Sequence, residues 1–475
     1  MTKFEGALLR LKSQLPKDCV STNPSDLLKA SVDNSRYSFL PQAVVFAKKP
    51  ADVGKVLETV NINGIPVSVR GAGSGASGAA LPVNGGIVLD VSGIDFIEID
   101  PVSWTAHAGA GAINANIDKA AMKHGLMYPP DPSSKNYSTI GGNIACNAGG
   151  LRAAKYGVTR DYVLALSGYL PTGEAVNFSR PLKKCSVAMN MRDLWIGAEG
   201  TLGVITEAWL KLIARPPHRI SALATFESDT QAFACVREIL KNALMPSVLE
   251  FLDADSVRVA SEFTGAKTHH GAMLLIEFDG SETETKESAK RIKPILKNLA
   301  QRFEFSKNET EAEKLWAMRR AASPAMYKLG NAKLNQDIVL PISATDKFFD
   351  FYKNLGKKTG LPTPTFGHAA DGNYHIHFMY DASNAAQKET AYEAMDKTIA
   401  YAVKLGGSIS GEHGIGIVKT RLLENQISHA ELSAMKKIKN ALDPKNILNN
   451  AVVYGNLDIK KFSPRTDLKL PWDKA

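Results

Sequence analysis

Cysteine is scarce in this chain of 475 residues: there are four, Cys19, Cys146, Cys185 and Cys235, far apart and with no CxxC pair. Such spacing supplies neither a disulfide framework nor the grouped thiolates of an iron–sulfur cluster. A reducing compartment is the simpler expectation, and any iron–sulfur relay has to come from a partner. Long apolar runs are missing as well, so no stretch is fit to cross a bilayer. The opening residues Met1–Arg10 are interrupted by Glu5 and Arg10, then by Lys12. They read as an amphipathic helix start and not as a secretory signal. Lysine and arginine form no dense run and show no aromatic interleaving, which excludes nucleic acid as an expected partner. No internal repeat is present.

What remains is a globular composition, 44% apolar and 22% charged. The length calls for two or three domains. The net charge of +9 suits an anionic substrate or an anionic membrane face, although an even spread for solubility is the simpler reading. The expected location is cytoplasmic, with peripheral contact to the inner membrane as the variant. A homodimer is compatible with the chain, but nothing in it reads out an oligomeric state.

Residues 1–35 read as a helical lead-in. From about 40 to 215, short apolar runs alternate with glycine-rich turns. Strands are expected at 44–47, 66–70, 87–91, 96–100 and 104–108, with helices over Ala51–Val60 and Ile113–His124. After Pro216-Pro217 the texture changes: strands such as Met273–Phe278 alternate with charged helices over Glu284–Phe303 and Ala385–Leu405. That pattern predicts an α+β layer on an antiparallel sheet. Beyond about 406 the chain returns to glycine loops, then ends in a tail with Lys460, Lys461, Pro464, Arg465, Lys469 and Pro471.

Two short segments late in the chain concentrate its chemistry, Gly367–Phe378 and Gly411–Gly416, with four histidines and one glutamate between them. A strand at Tyr374–Phe378 puts His375 and His377 on one face, and His368 at its loop end can curl back toward His375. Two imidazoles and a carboxylate form a familiar catalytic zinc set. Any one of these histidines is more simply a hydrogen-bonded strand or loop residue; four in two clusters reverse that reading. Three glycine loops and one proline-rich loop occur in order as well: Arg70–Gly78, Pro129–Ser134 (the proline-rich one), Thr139–Gly150 and Gly197–Thr206. The first follows a strand, so its amides could converge on a phosphate. It fails the dinucleotide fingerprint, because Ala79–Pro82 begins no convincing helix. One such loop is turn chemistry; four point to a bulky phosphate-bearing cofactor.

The ordered loops resemble the FAD-binding domain of the vanillyl-alcohol oxidase and p-cresol methylhydroxylase superfamily. With the histidine segments and the ending Asp443–Asn449, the chain is similar to the branch of D-lactate, glycolate-oxidase and D-2-hydroxyglutarate dehydrogenases. The resemblance runs from about residue 40 to 450. It implies an α+β fold, with a vanillyl-alcohol-oxidase-type FAD-binding domain (36–215) and an α+β substrate or cap domain with an antiparallel sheet (216–405). A C-terminal segment (406–475) would return to the flavin. In the implied site, Arg70, Gly71, Ala72, Gly73, Ser74 and Gly75 wrap the FAD pyrophosphate. Pro130, Asp131, Ser134, Gly141, Gly142, Asn143, Asn147 and Gly150 follow the flavin and ribityl chain. Glu199, Gly200, Gly203 and Ile205 border the adenosine half, and Asn449 returns to the ring. The flavin would be non-covalent, since His107 and His124 do not match the attachment positions of covalent members.

The same resemblance makes His368, His375 and Glu412 ligands of a divalent metal, zinc or manganese. It makes His413 the acid–base residue and Arg319 the clamp on the substrate carboxylate, a task suited to a bidentate guanidinium. His377 would contact substrate or orient a ligand. Asn335 stands at what looks like the lysine position of the 2-hydroxyglutarate enzymes, which favours a monocarboxylate, with Lys333 near enough to compensate. Ala370 replaces a usual glycine, and Asn450 a usual proline. The implied activity is oxidation of a D-2-hydroxy acid, D-lactate-like first, with glycolate or D-2-hydroxyglutarate as alternatives. Electrons would pass to a separate acceptor: dioxygen, a quinone, a cytochrome, an electron-transfer flavoprotein or an iron–sulfur partner. A transferase resembling alkyl-dihydroxyacetone-phosphate synthase would need a phosphate cluster and a lipid channel, for which the sequence offers no sign. A non-catalytic flavin subunit fits poorly with an intact Glu412-His413 pair.

Overall fold

The computed structural model describes residues 1–266, 270–465 and 470. Lys469 and Pro471 of the basic tail lie outside them. The chain forms two units, one of residues 1–149, 158–215 and 412–475, the other of residues 150–157 and 216–411. Among the described residues no helix is long and apolar enough to cross a membrane.

In the first unit the helix Lys3–Gln14 starts on a capping box, with Thr2 and Glu5 each satisfying the other's backbone amide. The stretch 1–35 also contributes Val20–Ser21, the edge strand of a four-stranded sheet, so it is more than a helical lead-in. In that sheet Ala43–Phe46 and Val67–Arg70 flank Ile87–Asp90 in parallel. Parallel neighbours need a crossover, which the helix Pro50–Asn63 provides. Proline opens that helix, Val53, Val56, Leu57 and Val60 form its buried face, and Gly64 ends it in the left-handed region. A five-stranded antiparallel sheet follows in the order Ile97–Asp100, Thr105–Gly109, Val204–Lys211, Val163–Tyr169, Ala175–Phe178. The C-terminal segment comes back to the first sheet: Asn449 donates its amide to the Val67 carbonyl and accepts from the Val69 amide through its side chain at 2.8 Å.

The second unit is built on a seven-stranded, wholly antiparallel sheet. Its order is Arg302–Phe305, His218–Phe226, Ala272–Gly280, Val248–Leu252, Thr365–His368, Asn373–Tyr380, Ala332–Val339. The helix expected over Glu284–Phe303 stops at Leu299, and Phe303 lies on the edge strand Arg302–Phe305. The four-residue alternation of that strand outweighs the helical run before it. Strand alternation separates two faces. One carries Phe251 and Tyr374, packed with Phe233 and Phe349 at ring separations of 4.6–6.0 Å. The other carries Leu252, Phe366 and Met379 against Val257, Met318, Ala322 and Met326 of two helices, Ala254–Thr264 with Glu309–Ala325 and its short continuation. The functional side chains described next lie on this second face.

Candidate active site

In the first unit, strand Val67–Arg70 runs straight into the glycine loop. Gly73 has φ +69°, and a Cβ there would stand 2.2 Å from the Arg70 guanidinium, so only glycine fits. The loop Gly71–Gly75 lines a cavity of about 1350 Å³, its mouth included. Ser134, Gly141, Gly142 and Asn143 form a second part of the wall, and Glu199, Gly200, Gly203, Ile205 and Asn449 a third. Asn143 Nδ2 and Trp195 Nε1 are buried in this lining with no hydrogen-bond partner among the described residues. Buried donors of that kind normally have one, so the lining matches a polar, extended guest.

Five of the residues assigned to the cofactor do not line the cavity. Arg70 is buried behind the loop, its pKa lowered by burial against the pull of Asp33 and Asp90. Pro130 and Asp131 lie just before the lining residues Pro132–Ser134. Asn147 caps the helix Ile140–Cys146 in the left-handed region and accepts from the Arg160 amide. Gly150 belongs to the second unit. The lining includes residues not assigned to the cofactor from the sequence, among them Asp33, Tyr137, Cys146 and Trp195. Burial pushes the Asp33 carboxyl up to about 6 against its bonds to Ser35. Burial also pushes the Cys146 thiol up to about 12, with Glu199 and Asp33 adding to it, which excludes a reactive thiolate.

Glu412 and His413 line the same cavity. Their loop is held by Glu199, a non-glycine residue at φ +50°, whose carboxylate accepts from the Ile415 amide at 2.6 Å and the Gly416 amide at 2.7 Å. Gly414 sits at φ +79°, and a Cβ there would come 1.9 Å from Glu199 Oε1. Burial raises the Glu199 carboxyl to about 7 despite both amides and Lys419. His413 Nε2 is 4.0 Å from Glu412 Oε1, an ion-pair distance and no direct hydrogen bond.

In the second unit, residues opposite one another on antiparallel strands share a face. The pairs Glu250↔His368, Phe366↔His375, Asn335↔His377 and Asp337↔His375 therefore place one row of polar side chains across four strands. His368 and His375 meet edge to face with ring centroids 5.6 Å apart, both buried. Two imidazoles at that separation fit two ligands of a divalent cation. Glu412, the carboxylate expected to join them, belongs to the first unit. His377 donates from Nδ1 to the Pro364 carbonyl at 3.0 Å. Asn335, opposite it, has its Oδ1 buried with no hydrogen-bond partner among the described residues. Lys333 donates to Ser323 Oγ at 2.9 Å and lies over the Tyr327 ring.

The Arg319 side chain is largely buried. Its guanidinium lies 4.4 Å over the Phe366 ring and its Nε pairs with Glu250 Oε2 at 2.5 Å. Sequence reasoning passed over Glu250. The available signal was a charge inside the apolar strand Val248–Leu252, a rare thing to bury without a partner. Burial alone would raise its carboxyl, yet His368 and Arg319 together hold it below the ordinary value.

Comparison with known proteins is consistent across the chain. Residues 41–179 match the family model described as FAD binding domain, and residues 215–453 match that of FAD linked oxidases, C-terminal domain. The chain is 34% identical over 443 residues to glycolate oxidase subunit GlcD of Bacillus subtilis, covering 92% of this chain and 94% of that protein. It is 35% identical over 425 residues to D-lactate dehydrogenase of Anaerostipes hadrus, covering 86% and 88%. Among solved structures, substrate-bound p-cresol methylhydroxylase aligns with a TM-score of 0.77 at 16% identity, covering 96% of this chain and 98% of that one. The expected α+β fold with a p-cresol-methylhydroxylase-type FAD-binding domain is the fold observed.

Proposed function

We propose, from the premise that this chain belongs to the family of FAD-linked oxidases, that it oxidises a D-2-hydroxy acid to the 2-oxo acid with a divalent cation and passes electrons to a separate acceptor. Hydroxy acids are favoured because relatives bear the names glycolate oxidase subunit and D-lactate dehydrogenase. A D-lactate-like monocarboxylate is favoured over a dicarboxylate for a local reason. Asn335 carries no charge, and the nearby Lys333 is engaged by Ser323 and Tyr327.

Gly71–Gly75, Gly141–Asn143 and Glu199–Ile205 would hold FAD, and His368, His375 and Glu412 the cation, zinc or manganese. When bound, FAD supplies the hydride acceptor and the cation supplies the charge that acidifies the α-hydroxyl. Arg319 would take the substrate carboxylate with its guanidinium, fixing the α carbon. His413 would accept the hydroxyl proton on an imidazole nitrogen, a base suited to neutral pH. His377 would keep its Nδ1 hydrogen on Pro364 and turn Nε2 to substrate or to a ligand. The observation that best supports this reading is His413 in the wall of the glycine-lined cavity. The test is a panel of D- and L-hydroxy acids with an artificial dye acceptor. Turnover confined to D-monocarboxylates is expected; turnover of none of them, or of L-isomers alone, would refute it.

A further inference from the structure

Glu250 is a fully buried carboxylate with two partners, one from each of two different parts of the proposed chemistry. Its Oε1 lies 2.5 Å from His368 Nδ1 and its Oε2 lies 2.5 Å from Arg319 Nε. The first contact follows from strand register, since Glu250 stands directly opposite His368 on the neighbouring strand. The second is reinforced by Phe366, two residues before His368 on the same face, whose ring underlies the Arg319 guanidinium.

An ionised carboxylate accepts hydrogen bonds and donates none. His368 therefore carries a hydrogen on Nδ1, which leaves Nε2 as the nitrogen whose lone pair a cation would take. Carboxylates that hold the far nitrogen of a ligating histidine fix its tautomer and raise its basicity. Arg319 is fixed in the same act. Glu250 takes the Nε edge and Phe366 the flat face, so the terminal amino groups are the part left to pair with a second carboxylate.

We propose that Glu250 is the positioning residue of this site, setting His368 as an Nε2 ligand for a divalent cation and presenting Arg319 to the substrate carboxylate. This rests on the functional reading above. The two N–H donors meet different oxygens, Oε1 and Oε2, and a carboxylate offers an acceptor at each. A glutamine offers one oxygen and turns its amino group against the other donor.

The test compares wild type with Glu250→Gln, both as FAD-loaded full chains, by chelator competition for Zn²⁺ and by steady-state kinetics. Zn²⁺ affinity should fall ~10–100-fold in the variant, the range for losing such a partner. KM for the hydroxy acid should rise while FAD content stays full. A purely structural role would lower Tm and leave Zn²⁺ affinity and KM unchanged, and that result overturns the proposal. A wild type that binds no Zn²⁺ and turns over no hydroxy acid would instead overturn the functional reading. If Glu250→Gln does not fold, nitrogen-15 NMR of histidine-labelled, metal-free wild type still decides. His368, assigned by its loss in His368→Gln, should carry a hydrogen at Nδ1, and a ring protonated at Nε2 alone refutes the role.

Discussion

Glu199 gives the sharpest physical test of how the His413 loop is held. Its carboxyl is 4% exposed and accepts two amides, from Ile415 and Gly416. Burial nevertheless lifts its pKa from 4.5 to about 7. Below about pH 4.5 both folded and unfolded chains carry the proton, and the group contributes no difference. Between 4.5 and 7 the unfolded chain releases the proton while the native state keeps it, so native stability falls as pH rises. Above 7 the loss is complete, and at ~1.36 kcal/mol per unit it amounts to about 3 kcal/mol. In Glu199→Gln the side chain is neutral at every pH, with one oxygen for one amide and its amino group facing the other. That costs about 1 kcal/mol for a hydrogen bond. Near pH 5 the variant should therefore be slightly less stable than wild type. Near pH 8 it should be more stable, by about 2 kcal/mol after the hydrogen-bond loss. Urea unfolding of both proteins with the same FAD excess at the two pH values measures this crossing. A stability difference that does not change with pH would refute the buried, proton-linked role of Glu199.

Two further outcomes follow from the second unit and its expected cation. Arg319→Met should do more than raise KM, because it leaves Glu250 buried with its charge half compensated. A destabilisation of about 3–5 kcal/mol in urea is expected for breaking such a pair, and unchanged stability would dismiss the pairing with Glu250. Prolonged chelation should leave the flavin spectrum intact and abolish turnover, with Zn²⁺ or Mn²⁺ restoring it. Full activity in a chelated enzyme with no metal left would remove the cation from the reaction.

Glycine order and strand alternation made much of this site readable. Gly71–Gly75 and Gly141–Asn143 line the cavity of the first unit, and glycine leaves a visible mark in sequence. Period two placed His375 and His377 on one face before their partners were known. The neighbours that fix those side chains left no local mark. Glu250 lies 118 residues from His368, and only sheet register joins them. Nothing local reveals the setting of Arg319, because the ring beneath it comes from a strand far along the chain. Arg70 sits at the strand end where a phosphate contact is expected, but it does not line the cavity and lies in the field of Asp33 and Asp90. The end of the helix at Leu299 was hidden because no glycine or proline marks it.

The most direct measurement is anaerobic flavin reduction in wild type and His413→Ala at equal FAD occupancy. D-Lactate, or whichever D-hydroxy acid the panel selects, should bleach the wild-type flavin quickly. The variant should retain the oxidised spectrum and reduce ~10²–10⁴-fold more slowly, the usual contribution of a positioned base. Equal rates in the two proteins would contradict the assignment of proton removal to His413.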